Sequence, residues 1–407
     1  MKNLLVAQSG GPTAAINATL AGVFQGAVCS DRVDNIYGAV NGIQGVMEER
    51  FVDLRKLLGN TQDQELLSQT PAAALGSCRL KLKDPAKDPS DFEKIISIFR
   101  KHEIHYFIYI GGNDSMDTVD KLSAYVSAQG IDDIRVMGAP KTIDNDLMGT
   151  DHCPGFGSAA KYIATTFSEL ERDCHVYNVK AVTIVEVMGR NAGWLTAASS
   201  LARLNGGEGP ALIYLCEVPF DPEKFLQDVQ EQLKIRDSVL VAVSEGVHDA
   251  QGRYLSEQTQ SGATDNFGHS YIAGAAGVLE QLVRDRIGCK VRSIELNLMQ
   301  RSAAHIASAT DIRESQMLGR KACQCALDGK SGRMAAIRRI SDEPYRIELT
   351  DVPVSESANA EKTVPAEWIT PDGHDVTPEM TAYLKPLIQG ESPVTYKNGI
   401  PCHIRLY

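Results

Sequence analysis

Asp144 and Asp146 stand two apart in the stretch APKTIDNDLMGTD, residues 139–151, with Lys141 just ahead of them. If the chain is extended there, the two carboxylates point to the same side. Such a pair suits one general base and one metal ligand. A turn-forming Asx cluster is the plainer reading of the same residues. Lys141 sets an ammonium beside them, directly after what reads as a buried strand.

Other strand ends carry related chemistry. The first apolar run, LLVAQ, leads into Ser9-Gly10-Gly11. Glycines there let backbone N–H groups approach an anion at a helix N-terminus, although Gly-Gly turns are common without one. HYFIYI leads into GGNDSMDT, where Gly111 and Gly112 repeat that device. Asn113 and Asp114 then offer oxygens at the same mouth, with a helix N-cap as the alternative role for Asp114. In EVMGRNAGW, Met188 and Gly189 bring backbone close, and Arg190 offers a planar donor fork for phosphate or sugar oxygens. Glu245 in VSEG occupies an analogous strand end, and Arg292 and Arg301 frame RSIELNLMQR. Either arginine alone reads as a solvated surface charge.

Alternating elements must position these groups. Helical stretches such as GFGSAAKYIATTFSELERD and DPEKFLQDVQEQLKIR separate strands such as IRVMGAP, VTIVEVMG, ALIYLCEVPF and SVLVAVSEG. Ser90 with Glu93 three residues later suggests a capping box, ahead of an apolar face of Phe92, Ile95, Ile96 and Phe99. Near-continuous apolar strands between helices imply parallel sheets covered on both faces, with ligands bound beyond the strands' carboxyl ends. The alternation is too long for one sheet, so two lobes are expected. It fades after about Ser341 into polar, Pro-rich sequence that reads as loops and an edge strand.

Composition narrows the choices. The 407 residues allow two or three domains, and the formal charge of −11 argues against nucleic-acid or anionic-membrane partners. No apolar run approaches the ~20 residues of a membrane span. The N-terminal MKNLLVAQSGG reads as a strand entering a glycine turn rather than a secretory signal. Nine cysteines without paired metal spacing suit free thiols in the cytoplasm.

In order, SGGPTAAINA, LGSCR, GGNDS, PKTIDND, VEVMGR, SEG and QR resemble the motif series of the phosphofructokinase family, from Gly10 to about Arg301. The resemblance implies an α/β fold of two Rossmann-like three-layer lobes with mainly parallel sheets and the active site in the cleft between them. Residues 1–140 plus about 300–340 would form a donor-binding lobe and 141–299 a sugar-phosphate lobe. Residues 341–407 would be a C-terminal extension whose placement stays open.

The family divides by phosphoryl donor, and Asp114 with Lys141 resembles its pyrophosphate-dependent branch, where ATP-dependent members carry glycine at both places. A carboxylate at Asp114 would crowd and repel a nucleotide's α-phosphate, while Lys141 would neutralise pyrophosphate and its leaving phosphate. The implied reaction is reversible transfer from pyrophosphate to the 1-hydroxyl of fructose 6-phosphate, in glycolysis and gluconeogenesis. Asp144 would be the base. Gly10, Gly11, Arg79 and Lys141 would bind the donor. Thr142, Ile143, Asp144, Met188, Gly189, Arg190, Glu245, Arg292 and Arg301 would hold the sugar phosphate. Asn113 and Asp146 would hold Mg²⁺. Arg292 would reach across from a neighbouring subunit, which implies a homodimer or homotetramer.

Three positions depart from the commoner family pattern: Asn113 replaces an Asp, Leu298 a His, and Ala181 an Arg for which Lys180 could substitute. They leave open sedoheptulose 7-phosphate as a further substrate and a regulatory subunit without turnover as a rival. An ATP-dependent kinase is the other rival.

Overall fold

The computed structural model describes residues 2–258, 274–358 and 360–407. Its larger sheet is built from β1 (Asn3–Gln8), β2 (Ile36–Ala39), β3 (Phe51–Asp53), β4 (Ile104–Gly111) and β5 (Arg135–Pro140). The smaller uses β6 (Ala181–Val187), β7 (Leu212–Tyr214), β8 (Ser238–Ser244) and β9 (Lys290–Glu295). The late strands β10 (Arg333–Asp342) and β11 (Tyr345–Pro353) return to the larger sheet, giving the order β11-β10-β5-β4-β1-β2-β3. The smaller sheet runs β7-β8-β6-β9 and is parallel throughout. In the larger one, only the β2–β3 and β10–β11 pairs are antiparallel among the described residues.

Strand alternation explains why the runs read as continuously apolar. In β1, Leu4 and Val6 enter one buried core while Leu5 and Ala7 enter the core on the opposite face. In β8, Leu240 and Ala242 face one core, and Val239, Val241 and Val243 the other. Both sheets are thus covered on both sides, as the two-lobed α/β reading expects.

Helix Ile16–Val28, which follows the first glycine turn, packs against helix Ala309–Leu327 at very short range. A Cβ on Gly22 would lie 2.1 Å from the Gln316 carbonyl oxygen, and one on Gly319 would lie 2.1 Å from that of Thr19. Only glycine permits this crossing, which packs both helices on the core that Leu4 and Val6 enter.

Two local readings change. Helix Ser90–Lys101 takes no cap from Ser90, because Asp88 Oδ1 accepts from both the Ser90 amide (3.1 Å) and its hydroxyl (2.6 Å). Asp114 is not an N-cap, since that position in helix Asn113–Ala128 belongs to Gly112. The chain after β11 does not stay apart from the body. Val364, Val376, Met380, Tyr383, Leu384 and Leu387 join the core shared by helix Phe156–Cys174 and β6, whereas Leu406 joins the first lobe's core. Among the described residues no helix is long and apolar enough to cross a membrane.

Candidate active site

The first wall of the site comes from the carboxyl ends of β1, β4 and β5. Gly10 has φ +75°, which glycine adopts without strain, and Ser77 Oγ donates to its carbonyl at 2.6 Å. Thr13 Oγ1 accepts from the amides of Ala15 (3.1 Å) and Ile16 (2.9 Å), closing the turn onto its helix. A Cβ on Gly10 would sit 3.0 Å from Lys141 Nζ, and one on Gly11 would sit 3.3 Å from Arg301 Nη1. Two cations from distant parts of the chain therefore close over one glycine turn.

Lys141 is held by its amide donating to the Gly111 carbonyl at 2.9 Å, which aligns the ends of β4 and β5. Its side chain is buried. Burial pushes its pKa down to about 8, against the opposing pull of Asp144 and Asp146. Asp144 accepts from the Thr142 hydroxyl at 3.4 Å, and its own amide donates back to that hydroxyl at 3.1 Å. Burial raises the Asp144 carboxyl above the ordinary range, opposed by Lys141, the Thr142 hydrogen bond, Arg190 and Arg301. This is a carboxylate made more basic by its pocket yet kept within reach of three cations.

Asp146 adjoins Asn113, whose Nδ2 donates to Asp146 Oδ2 at 3.1 Å. The remaining oxygens, Asn113 Oδ1 and Asp146 Oδ1, are buried and lack a hydrogen-bond partner among the described residues. Burial, then the charges of Asp144 and Glu361, push Asp146 up to about 7. Both are oxygen ligands of the kind a hard divalent cation takes, and such a cation would relieve both features, so the residues present fit Mg²⁺. Asp114 lies in the first turn of its helix, with Lys81 Nζ 3.8 Å from its Oδ1. Arg79 is exposed on the loop just before Lys81.

The second wall comes from β6, β8 and the turn after β9. Gly189, at φ +137°, has no room for a Cβ, which would meet the Ala192 carbonyl oxygen at 2.5 Å. Its amide donates to Glu245 Oε1 at 3.3 Å and its carbonyl accepts from Ser244 Oγ at 2.6 Å. Burial pushes Glu245 up to about 8, which Gly189 and Arg190 partly offset. The Nε of Arg190 is buried and lacks a partner among the described residues. Arg301 lies close enough to bear on both Asp144 and Glu245. The two sheets thus present a carboxylate of raised basicity, an amide–carboxylate pocket and several cations to one space.

The phosphofructokinase pattern matches residues 3–326. The chain belongs to the phosphofructokinase family. It is 41% identical to a pyrophosphate–fructose 6-phosphate 1-phosphotransferase of Methylococcus capsulatus, over 100% of this chain and 96% of that protein. It is also 41% identical to a protein of that name from Xanthomonas campestris, over 99% and 96%. Among solved structures, a pyrophosphate-dependent phosphofructokinase from Marinobacter aquaeolei superposes with a TM-score of 0.87. That pair is 38% identical, covering 99% of this chain and 95% of that one.

Within this phosphofructokinase, Gly10, Gly11, Lys141, Thr142, Asp144, Arg190, Glu245 and Arg301 gather as described, and Met188 and Ile143 flank them. The Met188 amide donates to Gln300 Oε1 at 3.2 Å, and Ile143 is buried in the core shared by helix Phe156–Cys174 and β6. Arg292 stands apart. It pairs in register with Thr183, well short of the β6 carboxyl end, and lies 3.9 Å from Asp173 on an outer face beside Tyr177. Lys180 is tied to the carbonyls of Leu233 and Arg236 and to Asp237, and Leu298 is exposed.

Sequence reasoning missed several neighbours. Buried Gln300 fixes the Met188 turn, with only its place beside Arg301 to mark it. Asn191 Nδ2 donates to both oxygens of Glu361, at 2.9 and 3.0 Å, bringing a C-terminal carboxylate to the cleft. No motif announces Glu361.

Proposed function

We propose that this phosphofructokinase reversibly transfers a phosphoryl group from pyrophosphate to the 1-hydroxyl of fructose 6-phosphate, giving fructose 1,6-bisphosphate and phosphate. The observation that carries the reading is a buried ammonium, Lys141, which follows β5 and lies over the Gly10 turn, while the carboxylate Asp114 stands in the first helical turn after the neighbouring strand β4. Asp114 would repel the α-phosphate of a nucleotide. Lys141 would stabilise the departing inorganic phosphate. Pyrophosphate has no adenosine to anchor it, so phosphate contacts carry its binding. Full-length relatives with this named activity support the same donor.

In the proposed step, Asp144 accepts the proton of the attacking sugar hydroxyl, and burial has already raised its basicity. Gly11, Arg79 and Lys141 meet the donor's oxygens. Thr142, Ile143, Met188, Gly189, Arg190 and Glu245 orient the sugar, and Arg301 meets its 6-phosphate. Asn113 Oδ1 and Asp146 Oδ1 would hold Mg²⁺, which when bound neutralises charge on the pyrophosphate oxygens. The two lobes, residues 1–140 with about 300–340 and residues 141–299, would bind donor and sugar respectively. Arg292, on its outer face, would serve a neighbouring copy's sugar site in a homodimer or homotetramer. We infer a cytoplasmic enzyme acting between glycolysis and gluconeogenesis.

The test is turnover of purified protein with pyrophosphate and, separately, with ATP. Pyrophosphate alone should support rapid reaction, and Asp144→Ala should lower its rate by about 10²–10⁴ without unfolding the chain. Reaction with ATP only, or an unaffected Asp144→Ala variant, overturns the assignment.

A further inference from the structure

Asn145 lies between the proposed base and the proposed metal ligand, yet its side chain takes the opposite course. It is fully buried, at φ +56°. Its Oδ1 accepts from the Cys153 amide at 3.0 Å, and its Nδ2 donates to the Tyr383 hydroxyl at 3.0 Å. That hydroxyl donates in turn to the Asp151 carbonyl at 2.8 Å. Tyr383 belongs to helix Pro378–Leu384, far along the C-terminal segment. Its ring is locked between Trp194 and Trp368, each with centroids 5.3 Å away, with the Arg339 guanidinium 4.4 Å from its centre.

A second tie from the same segment reaches the same loop. Leu147 and Glu361 form an antiparallel bridge, and the Lys362 amide donates to the Asp146 carbonyl at 2.7 Å. Lys362 Nζ donates to the Asp151 carbonyl at 2.6 Å. On its other side, the Lys362 carbonyl accepts from Trp194 Nε1 at 2.8 Å, just after the β6 turn. The C-terminal segment therefore spans from the Asp144–Asp146 loop to the opposite wall of the cleft.

We propose that Tyr383 is a positioning residue for phosphoryl transfer, acting through Asn145 to fix the direction of Asp144 and Asp146 into the cleft. The inference rests on the reading of Asp144 as the base. Tyr383 touches no substrate. Its phenol saturates an inward-turned Asn145, and that buried peg leaves the flanking carboxylates facing the cleft. Rates of oriented reactions respond steeply to displacement, so ~1 Å of drift at a base matters far more for the chemical step than for ground-state binding.

Tyr383→Phe keeps the ring packing and removes only the hydroxyl, leaving Asn145 Nδ2 short of its acceptor. Two measurements on the full-length protein decide. In steady-state assays with pyrophosphate, kcat should fall about tenfold or more while KM for both substrates stays within about threefold. In hydrogen-exchange mass spectrometry, amides of residues 144–151 should exchange about tenfold faster than in the parent, with the strands unchanged, as a lost buried hydrogen bond dictates. A kcat within about twofold of the parent overturns the inference, as does a rise in KM that matches the fall in kcat. Unchanged loop exchange also overturns it. If the parent itself fails to turn over pyrophosphate, the functional reading falls. Exchange then still decides whether Tyr383 holds the loop.

Discussion

The ammonium of Lys141 stands 3.0 Å from where a Cβ on Gly10 would be. The glycine turn and the lysine thus share one small volume, although β2, β3, β4 and β5 all lie between them in the chain. Gly10→Ala should displace that ammonium and strain the positive φ. Loss of one charge-assisted contact is worth about 1.5 kcal/mol, so KM for pyrophosphate should rise about tenfold. KM for fructose 6-phosphate should barely move. Initial-rate kinetics with each substrate varied in turn would check this, and equal rises in both constants would contradict it.

Lys141 also sets a pH dependence. Burial has pushed it down to about 8, so the free enzyme loses this cation as pH rises through that value. The ratio kcat/KM for pyrophosphate should fall above about pH 8. The limb in kcat should lie higher, because bound pyrophosphate favours the charged lysine. Lys141→Arg should move the limb out of the accessible range, since arginine stays protonated. Lys141→Met should abolish it and lower kcat by about 10²–10³, as for loss of a donor to transition-state charge.

What the sequence made legible follows from where each feature's cause lies. Strand ends with glycines and charged groups announce themselves because local backbone needs and local chemistry coincide, as at Ser9–Gly11 and Met188–Arg190. Parallel sheets were legible because strands such as Ser238–Ser244 are apolar on both faces. The C-terminal segment was not. Its work is done by single long-range bonds, Tyr383 to Asn145 and Lys362 to Asp146, which no periodicity records. The false capping box at Ser90 failed for the converse reason. Asp88 competes for the same donors, and only coordinates show which acceptor prevails.

The Asn113–Asp146 pair predicts opposite effects from two substitutions. Asp146→Asn removes the charge at one unpartnered oxygen and should raise the Mg²⁺ needed for half-maximal rate by about tenfold or more. Asn113→Asp adds a carboxylate to the same place and should lower that requirement, while destabilising the metal-free protein through like-charge repulsion. Mg²⁺ titrations at fixed magnesium pyrophosphate, with thermal melts with and without Mg²⁺, would check both signs. Equal Mg²⁺ dependence in parent and variants would place the metal elsewhere.

His152 carries a stability prediction outside the chemistry. Its Nδ1 lies 2.7 Å from Asp151 Oδ1 and its Nε2 lies 2.7 Å from Glu314 Oε2, all within the protein. Burial alone would lower its pKa, but the two carboxylates outweigh burial and raise it. Arg339 pairs with Asp151, the Tyr345 hydroxyl donates to Glu314 at 3.0 Å, and the Asp311 carboxylate also lies within reach of the imidazolium's charge. A raised folded pKa means the unfolded chain holds fewer protons just above the ordinary histidine value. The stabilisation is therefore complete below about pH 6.5 and is lost as pH rises through the higher folded value. A neutral imidazole has one N–H, so it must turn a lone pair toward a carboxylate. His152→Gln should cost about 3 kcal/mol at pH 6, the scale of breaking a buried ion pair, and less at pH 9. Urea unfolding of both proteins across that range measures the gap, and a gap that widens with pH would reverse the assignment of charge to His152.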